Sequence, residues 1–155
     1  RAMRAAAGPG TPRRSTHQKI DLNDVGAEAA GDGEGKTVEL AGRNEEPYLD
    51  AEGNACTMRV LGKYAPAVRR ATDQMTRRAV QRGRKKPTPE DIREGRIDIA
   101  SSAVVAWSGI AVGGQDAPCT PANVKALLLK APWLLDQVEA AIEEPASFTK
   151  SASTS

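Results

Sequence analysis

The fold of this chain is decided by residues 120–145, which read TPANVKALLLKAPWLLDQVEAAIEEP. Thr120 followed by Pro121 favours a helix start, because the threonine oxygen can cap the first amides and a proline there loses no hydrogen bond. Pro132 forces a break, since an interior proline lacks a donor and clashes with the preceding turn. The pattern therefore predicts two consecutive helices. Their apolar positions are Val124, Leu127 and Leu128 in the first, and Leu134, Leu135, Val138, Ala141 and Ile142 in the second.

Thr88-Pro89 repeats this start and predicts another helix upstream. Glu90 and Asp91 follow, and acids in a first turn face the positive end of the helix dipole. Gly113-Gly114 interrupts the apolar pattern, so we expect the helix to end before that pair. Its expected buried face, with offsets of 7, 4, 3 and 4, consists of Ile92, Ile99, Ala103, Ala106 and Ile110.

A further helix is expected to begin near Pro66 and to end at Gly83. Its apolar stripe is thin, which predicts a helix at the surface. The stripe consists of Val68, Ala71 or Thr72, Met75 and Ala79. Basic side chains leave the helix on its other sides and continue past its end. Eight of them fall within 18 positions: Arg69, Arg70, Arg77, Arg78, Arg82, Arg84, Lys85 and Lys86.

Alternating apolar and polar residues in the N-terminal half predict a β-hairpin. Val38 and Leu40 alternate with polar neighbours, as do Met58 and Val60, so each segment has one apolar face. Residues 50–54 (DAEGN) between them have the composition of a turn. A lone hairpin is marginal in water, so we expect its apolar face to pack on the helices.

Apolar residues are concentrated in the C-terminal half. Leu, Ile, Val and Phe occupy 26 of 155 positions, which is low for a chain packed along its whole length. Three of them lie in the first 36 residues and 15 in residues 97–148. Residues 1–35 cannot bury enough apolar surface to offset the entropy lost on ordering. We therefore expect a disordered arm over residues 1–35 and a loose tail over residues 149–155.

Together these patterns predict an α+β domain that is mostly α, over residues 36–148. A β-hairpin over residues 36–62 is expected to pack on a small bundle of about four helices over residues 63–148. No apolar run approaches the roughly 18 residues needed to cross a bilayer. The Arg-rich start is followed by Gly and Pro rather than by a signal core, so a soluble, cytoplasmic protein is expected.

No set of residues favours catalysis, a cofactor or a metal site. His17, the only histidine, lies in the expected arm, where no catalytic pair can be held at hydrogen-bond distance. Cys56 and Cys119 have no neighbouring Cys or His, which argues against a zinc site and a disulfide. Gly35-Lys36-Thr37 ends like a phosphate loop, but a strand rather than a helix follows it. We expect a non-enzymatic protein.

The net charge changes sign along the chain. Residues 1–19 carry +5, residues 20–62 carry −7, residues 63–96 carry +7 and residues 97–155 carry −3. The basic run of the third block is either a solvated helix face or a site for phosphates or an acidic protein surface. It contains no aromatic residue that could stack on bases, which argues against nucleic acid.

The large aromatic residues allow two interpretations. Trp107, Trp133 and Phe148 can be the largest core residues of a small bundle. Alternatively, one tryptophan lines a groove that receives the helix of a partner, where aromatic anchors supply much of the affinity. The sequence leaves both open, and each can apply to a different residue.

The elements of residues 97–148 follow a distinctive order. From the N-terminal end they are Trp107-x-Gly109-Ile110, Thr120-Pro121-x-Asn123, Leu127-Leu128, Trp133-Leu134, Gln137-Val138 and Phe148. This order resembles that of the tail assembly chaperones of long-tailed, siphovirus-like phages, and residues 36–96 fit it more loosely. Ala122 and Ser147 depart from the family pattern, in which an acidic residue and an asparagine are usual at those places.

The resemblance implies a non-enzymatic assembly factor of the host cytoplasm that is absent from the mature virion. Such a chaperone binds the tape-measure protein and yields to the tail-tube protein as the tube polymerises. We expect the contacts with the partner to be apolar at Trp107, Leu127, Leu128, Trp133 and Phe148, and charged at Arg69, Arg70, Arg77 and Arg78.

The alternating charge blocks also favour self-association of this chain. Two other functions stay open at this level. One is a minor structural protein of the virion, in the tail or the connector. The other is a nucleic-acid-binding regulator, whose affinity for nucleic acid would fall steeply with salt.

Overall fold

Five helices and two small antiparallel sheets form the part of the chain that the computed structural model describes, residues 19–144. The helices are α1 (Leu22–Glu34), α2 (Pro66–Arg82), α3 (Pro89–Ala103), α4 (Pro121–Lys130) and α5 (Pro132–Glu143). The strands are β1 (Lys36–Glu39), β2 (Thr57–Val60), β3 (Val104–Ser108), β4 (Ala111–Val112) and β5 (Gln115–Asp116). The predicted α+β class is confirmed, with one helix more than expected.

The additional helix is α1, which lies within the segment expected to be a disordered arm. Asp21 caps it, since the Asp21 side chain accepts the Asn23 N–H at 2.8 Å. Residues 21–30 are exposed throughout, so apolar packing does not hold this helix in place. The structure thus differs from the prediction over residues 22–34, while residues 1–18 lie outside the described part.

The end of α1 is held by a polar anchor. The Asp32 carboxylate is only 7% exposed and accepts the Tyr64 N–H at 3.0 Å. The Asp32 carbonyl accepts the Gly62 N–H, also at 3.0 Å. Gly62 must be a glycine here, because a methyl group at that position would overlap the carboxylate of Asp32. A polar anchor of this kind produces no periodic pattern of apolar residues in the sequence. The sequence pattern therefore does not predict α1.

The predicted hairpin is confirmed as the pair β1 and β2, with Val38 opposite Met58. Its turn also lies where expected, since Asp50 N–H donates to the Asn54 carbonyl at 2.8 Å. A second turn at residues 42–46 lengthens the connection, because Gly42 N–H donates to the Glu46 carbonyl. The sheet has the order β1-β2-β3, so β2 is its central strand.

The third strand corrects the prediction that one helix continues towards Gly113. α3 ends at Ala103, and Val104 adopts extended backbone angles at the start of β3. β3 then pairs antiparallel with β2. The consecutive β-branched residues Val104 and Val105 suit a strand better than a helix. Consequently Ala106 lies on β3 and not on a helical face.

The buried face of α3 also differs from the expected one. Ile92 is 54% exposed, and Ile110 lies beyond the helix. The buried residues of α3 are Gly95, Ile97, Ala100, Ser101 and Ala103. The expected face was derived partly from residues that form β3 rather than α3. It therefore points in a different direction around the helix axis from the face that is buried.

Gly113-Gly114 forms the turn of a small hairpin between β4 and β5. Both glycines have positive φ angles, 60° and 85°. Two consecutive residues with positive φ give the turn geometry that matches the twist of a two-residue hairpin. The sequence predicts that this pair ends a helix. In the structure it instead forms a turn that reverses the chain between β4 and β5.

The predictions for the two C-terminal helices are confirmed. α4 begins after Thr120, whose side chain accepts the Asn123 N–H at 3.2 Å. α5 buries the expected apolar side, which consists of Leu134, Leu135, Val138, Ala141 and Ile142. Gln137 fastens α5 to the hairpin connection, because its amide both accepts from the Ala41 N–H and donates to the Ala41 carbonyl.

Three consecutive amides after β2 join the sheet to three helices. The N–H groups of Leu61, Gly62 and Lys63 donate to carbonyls in the last turns of α3, α1 and α5, at 2.8, 3.0 and 3.0 Å. Carbonyls in the last turn of a helix have no partner within their own helix. Residues 61–63, called here the junction, satisfy one such carbonyl in each of the three helices.

Replacing Gly62 with alanine is expected to release the end of α1 and to lower the free energy of unfolding. The added methyl group overlaps the Asp32 carboxylate, and such overpacking typically costs about 1–3 kcal/mol. Urea denaturation followed by circular dichroism measures the loss. Gly26→Ala is the matched control, since open space surrounds Gly26 within α1 and alanine favours a helix there. Equal stability of Gly62→Ala and the native chain would contradict the anchor.

Asp91 gives the start of α3 a dependence on pH. Its carboxylate accepts the Thr88 N–H at 2.9 Å, and its own backbone N–H donates to the Thr88 hydroxyl at 3.0 Å. These two reciprocal bonds define a capping box. The backbone hydrogen bond from Thr88 is the main cause of a lowered pKa of Asp91. A carboxyl with a lowered folded-state pKa stabilises above its unfolded pKa, and the stabilisation is lost as pH falls through the folded pKa.

Asp91→Asn is therefore expected to make the free energy of unfolding fall less steeply below about pH 4. Urea denaturation at a series of pH values measures this slope. Glu90→Gln, at the exposed neighbouring position, serves as the control. A slope that Asp91→Asn leaves unchanged would show that the cap carboxylate does not contribute to acid sensitivity.

Candidate polypeptide-binding surface

A groove of about 500 Å³ lies between α3 and α4. Ile97 contributes to its floor and is buried, whereas Leu129 on the opposite wall is 59% exposed. The remaining lining residues are Glu90, Arg93, Glu94, Asp98, Lys125 and Ala126. The groove thus combines an apolar strip with carboxylates and cations along its edges.

Asp98 connects the three helices next to this groove. Its carboxylate contacts Arg78 of α2 and Lys125 of α4, each at 3.2 Å. The Asp98 side chain is 24% exposed, so these pairs are only partly shielded from water. Arg78, which the sequence predicts to contact a partner, is therefore already engaged within the domain. Exposed pairs of this kind contribute little to stability.

The other predicted arginines lie on the outward face of α2. Arg69, Arg70 and Arg77 are exposed, and none forms an ion pair within residues 19–144. Val80 projects from the same side of the helix and is 74% exposed. The opposite side of α2 packs on the domain through Val68. The structure confirms a helix at the surface with a basic outward face, but of the expected apolar stripe only Val68 is buried, whereas Met75 and Ala79 are exposed.

Trp133 joins α5 to the loop between β1 and β2. Its indole N–H donates to the Tyr48 hydroxyl at 2.9 Å, and the Arg43 guanidinium lies 5.5 Å from the ring centroid. The side chain is half-buried and packs against the core. Both the N–H group and the ring face of Trp133 therefore already contact residues of the same domain.

Trp107 makes a comparable connection elsewhere in the fold. It lies on β3 opposite Met58, and its indole N–H donates to the Ala117 carbonyl at 2.8 Å. This bond ties the segment after β5 back to the sheet. Trp107 and Trp133 thus lie on different elements, have different hydrogen-bond partners and both pack against the core.

The remaining predicted apolar contacts have different environments. Leu128 is 1% exposed and belongs to the core, whereas Leu127 is half-buried at the edge of the core. Phe148 lies outside the described residues. Leu129 was not predicted, although three consecutive leucines cannot all face one core in a helix with 3.6 residues per turn. The run of three leucines could therefore have indicated that one of them is exposed.

A second cavity of about 240 Å³ lies where α2, α3 and α5 meet. Arg96 borders it and donates two hydrogen bonds to Glu139, at 2.9 and 2.7 Å. This bidentate contact is the main cause of a raised pKa of Arg96. The pair bridges α3 and α5 and closes one side of the cavity, so we assign it a structural role.

The described residues offer few groups for bond-making chemistry. Burial raises the pKa values of the Cys56 and Cys119 thiols, which keeps both protonated and weakly nucleophilic near neutral pH. Within residues 19–144, no group of three or more His, Cys, Asp or Glu side chains is placed to hold a metal ion. Over the same residues, no helix combines the length and apolarity that crossing a membrane requires.

Comparisons with known proteins identify no relative. No family model matches this chain, and neither a curated protein nor a solved structure does. Function is therefore inferred from the groove, the basic face of α2 and the order of elements along the sequence.

Tyr48→Phe is expected to lower the free energy of unfolding by about 0.5–1.5 kcal/mol, because the Trp133 indole N–H loses its acceptor. Chemical denaturation followed by tryptophan fluorescence measures the change. Tyr64→Phe removes a hydroxyl from a tyrosine that is 60% exposed and serves as the matched control. Equal effects of the two substitutions would contradict the structural role of the Trp133 contact.

Proposed function

We propose that this protein is a tail assembly chaperone that binds the tape-measure protein of a long-tailed phage without catalysing a reaction. The groove between α3 and α4 is the observation that carries the proposal. The resemblance in the order of elements over residues 97–148 supplies the identity of the partner. The protein acts in the host cytoplasm and is absent from the mature virion.

The groove has the chemistry required to bind an amphipathic helix. Leu129 and Ile97 offer apolar surface to residues spaced at i, i+3 and i+4 on such a helix. Glu94 and Lys125 on the edges provide both signs of charge for its flanking polar residues. A tape-measure protein is long and helical, so it presents this pattern many times. One groove can therefore bind at many positions along it.

Weak individual contacts suit a chaperone that must later be displaced. An open groove with one exposed leucine supplies modest affinity for each segment of the partner. Many chaperone molecules bound along one long tape-measure protein keep it covered even though each one binds weakly. The tail-tube protein can then remove the copies one at a time as the tube polymerises. The exposed arginines of α2 extend the binding surface towards acidic partner segments.

Leu129→Asp is expected to abolish retention of the tape-measure protein. The substitution places a charge on the apolar strip, and loss of one buried leucine costs about 1.5–3 kcal/mol, which corresponds to a tenfold or larger fall in affinity. The measurement is co-expression with the tape-measure protein of the same genome, followed by its soluble yield and co-purification. Val112→Asp, at a position on β4 that is 66% exposed, is the matched control.

Two results would contradict the proposal. One is a tape-measure protein that stays insoluble in the presence of the native chain. The other is equal solubilisation by native protein and Leu129→Asp. Mass spectrometry of purified particles provides a separate check, since stoichiometric protein in the virion would favour a minor structural component instead.

Nucleic-acid binding is a second candidate, which the unpaired outward arginines of α2 favour. It predicts an affinity for duplex or single strands that falls with salt and with Arg70→Glu. Fluorescence anisotropy of labelled oligonucleotides distinguishes this function from the first. Absence of binding at low salt would remove it.

A further inference from the structure

Most of α1 is exposed to solvent, since its residues 22–30 are all exposed. Leu22 is 84% exposed and Val25 is 41% exposed, and only the last turn is fastened to the domain. α1 has 13 residues, including the glycines at positions 26, 31 and 33. Helices shorter than about 12–15 residues are marginal in water even without glycine. The helix therefore needs a covering surface to persist.

The chemistry of α1 defines what that surface must offer. Residues 21–34 contain five acids and no lysine or arginine. Asp32 is buried in the anchor, and the other four acids are exposed. Leu22, Val25 and Ala29 form an apolar stripe at helical spacing, and Glu28 lies beside it. A complementary surface is basic and has an exposed apolar residue among its cations.

The outward face of α2 meets both requirements. Arg69, Arg70 and Arg77 are exposed without ion-pair partners in residues 19–144, and Val80 lies among them, together with one carboxylate, Asp73. The two helices also match in length, since α1 spans about 20 Å and α2 about 25 Å at the usual helical rise. Opposite charge around a small apolar contact gives a specific and salt-sensitive interface.

We propose that α1 of one copy of this chain docks along the outward face of α2 of a second copy. A contact within one chain does not provide this, because the anchored α1 leaves the α2 face of its own copy exposed. The two surfaces are different, so the contact is head-to-tail and a dimer keeps one free surface of each kind, one on each copy. The assembly is independent of the proposed function, because it needs only the purified chain.

Sedimentation velocity of the full chain over a range of concentrations tests the docking. Association is expected at about 0.05 M salt and is expected to weaken strongly at about 1 M salt, where the screening length is about 3 Å. The α1 variant Leu22→Ser with Glu28→Lys and the α2 variant Arg77→Glu with Val80→Ser should each lower the association constant at least about tenfold. All four positions are exposed, and thermal melts verify that both variants fold.

Matched controls carry the same chemical changes away from both surfaces. Val112→Ser with Glu52→Lys corresponds to the α1 variant, and Val112→Ser with Lys130→Glu corresponds to the α2 variant. Both controls should associate like the native chain. Helical circular dichroism of the native chain should also rise with concentration as α1 becomes covered, and it should not rise in the α1 variant.

Mixing the α1 variant with the α2 variant separates a head-to-tail contact from a symmetric one. Each variant keeps the surface that the other lacks, so the mixture is expected to form dimers that do not grow further. A symmetric contact of α1 with α1, or of α2 with α2, would give no recovery on mixing. A native chain that stays monomeric at low salt, or equal association of both variants and their controls, would also overturn the docking.

Discussion

The junction at residues 61–63 is the constraint on which the rest of the structure depends. These residues follow the central strand β2, whose Met58 and Val60 side chains are almost completely buried. Their three consecutive N–H groups bond to the last turns of α3, α1 and α5. Each of those carbonyls would otherwise lie near the core without a donor, which is costly. The position of β2 therefore fixes where three helices end, and the groove between α3 and α4 follows from the placement of α3.

Local features of the sequence, such as helix caps and prolines, predicted structure correctly. Contacts between distant segments could not be predicted from the sequence. Thr88, Thr120 and Pro132 predicted helix starts correctly, because capping and proline effects are local. β3 was missed because its partner strand is more than 40 positions away and its apolar residues also fit a helical period. α1 was missed because one buried carboxylate, Asp32, fastens its end, whereas its apolar residues Leu22 and Val25 are exposed.

The candidate site was foreseen only in part, for a related reason. The basic outward face of α2 follows from charge and periodicity alone, so Arg69, Arg70 and Arg77 were found. The environments of the tryptophans depend on tertiary partners, and hydrogen bonds of both indoles to Tyr48 and Ala117 could not be read from spacing. The groove arises from the relative placement of α3 and α4. A single sequence contains no direct record of that placement, so Leu129 went unnoticed.

The junction also explains how α2 begins without the usual devices. α2 has no side-chain cap at Ala65 and no acidic residue in its first turn. It starts at Pro66, three residues after the last junction amide, where three other helices present their carboxyl ends. The partial negative charge of those ends compensates the partial positive charge at the start of α2. The backbone alone thus provides an electrostatic counterpart for this amino terminus, in a helix whose charged side chains are five arginines and one aspartate.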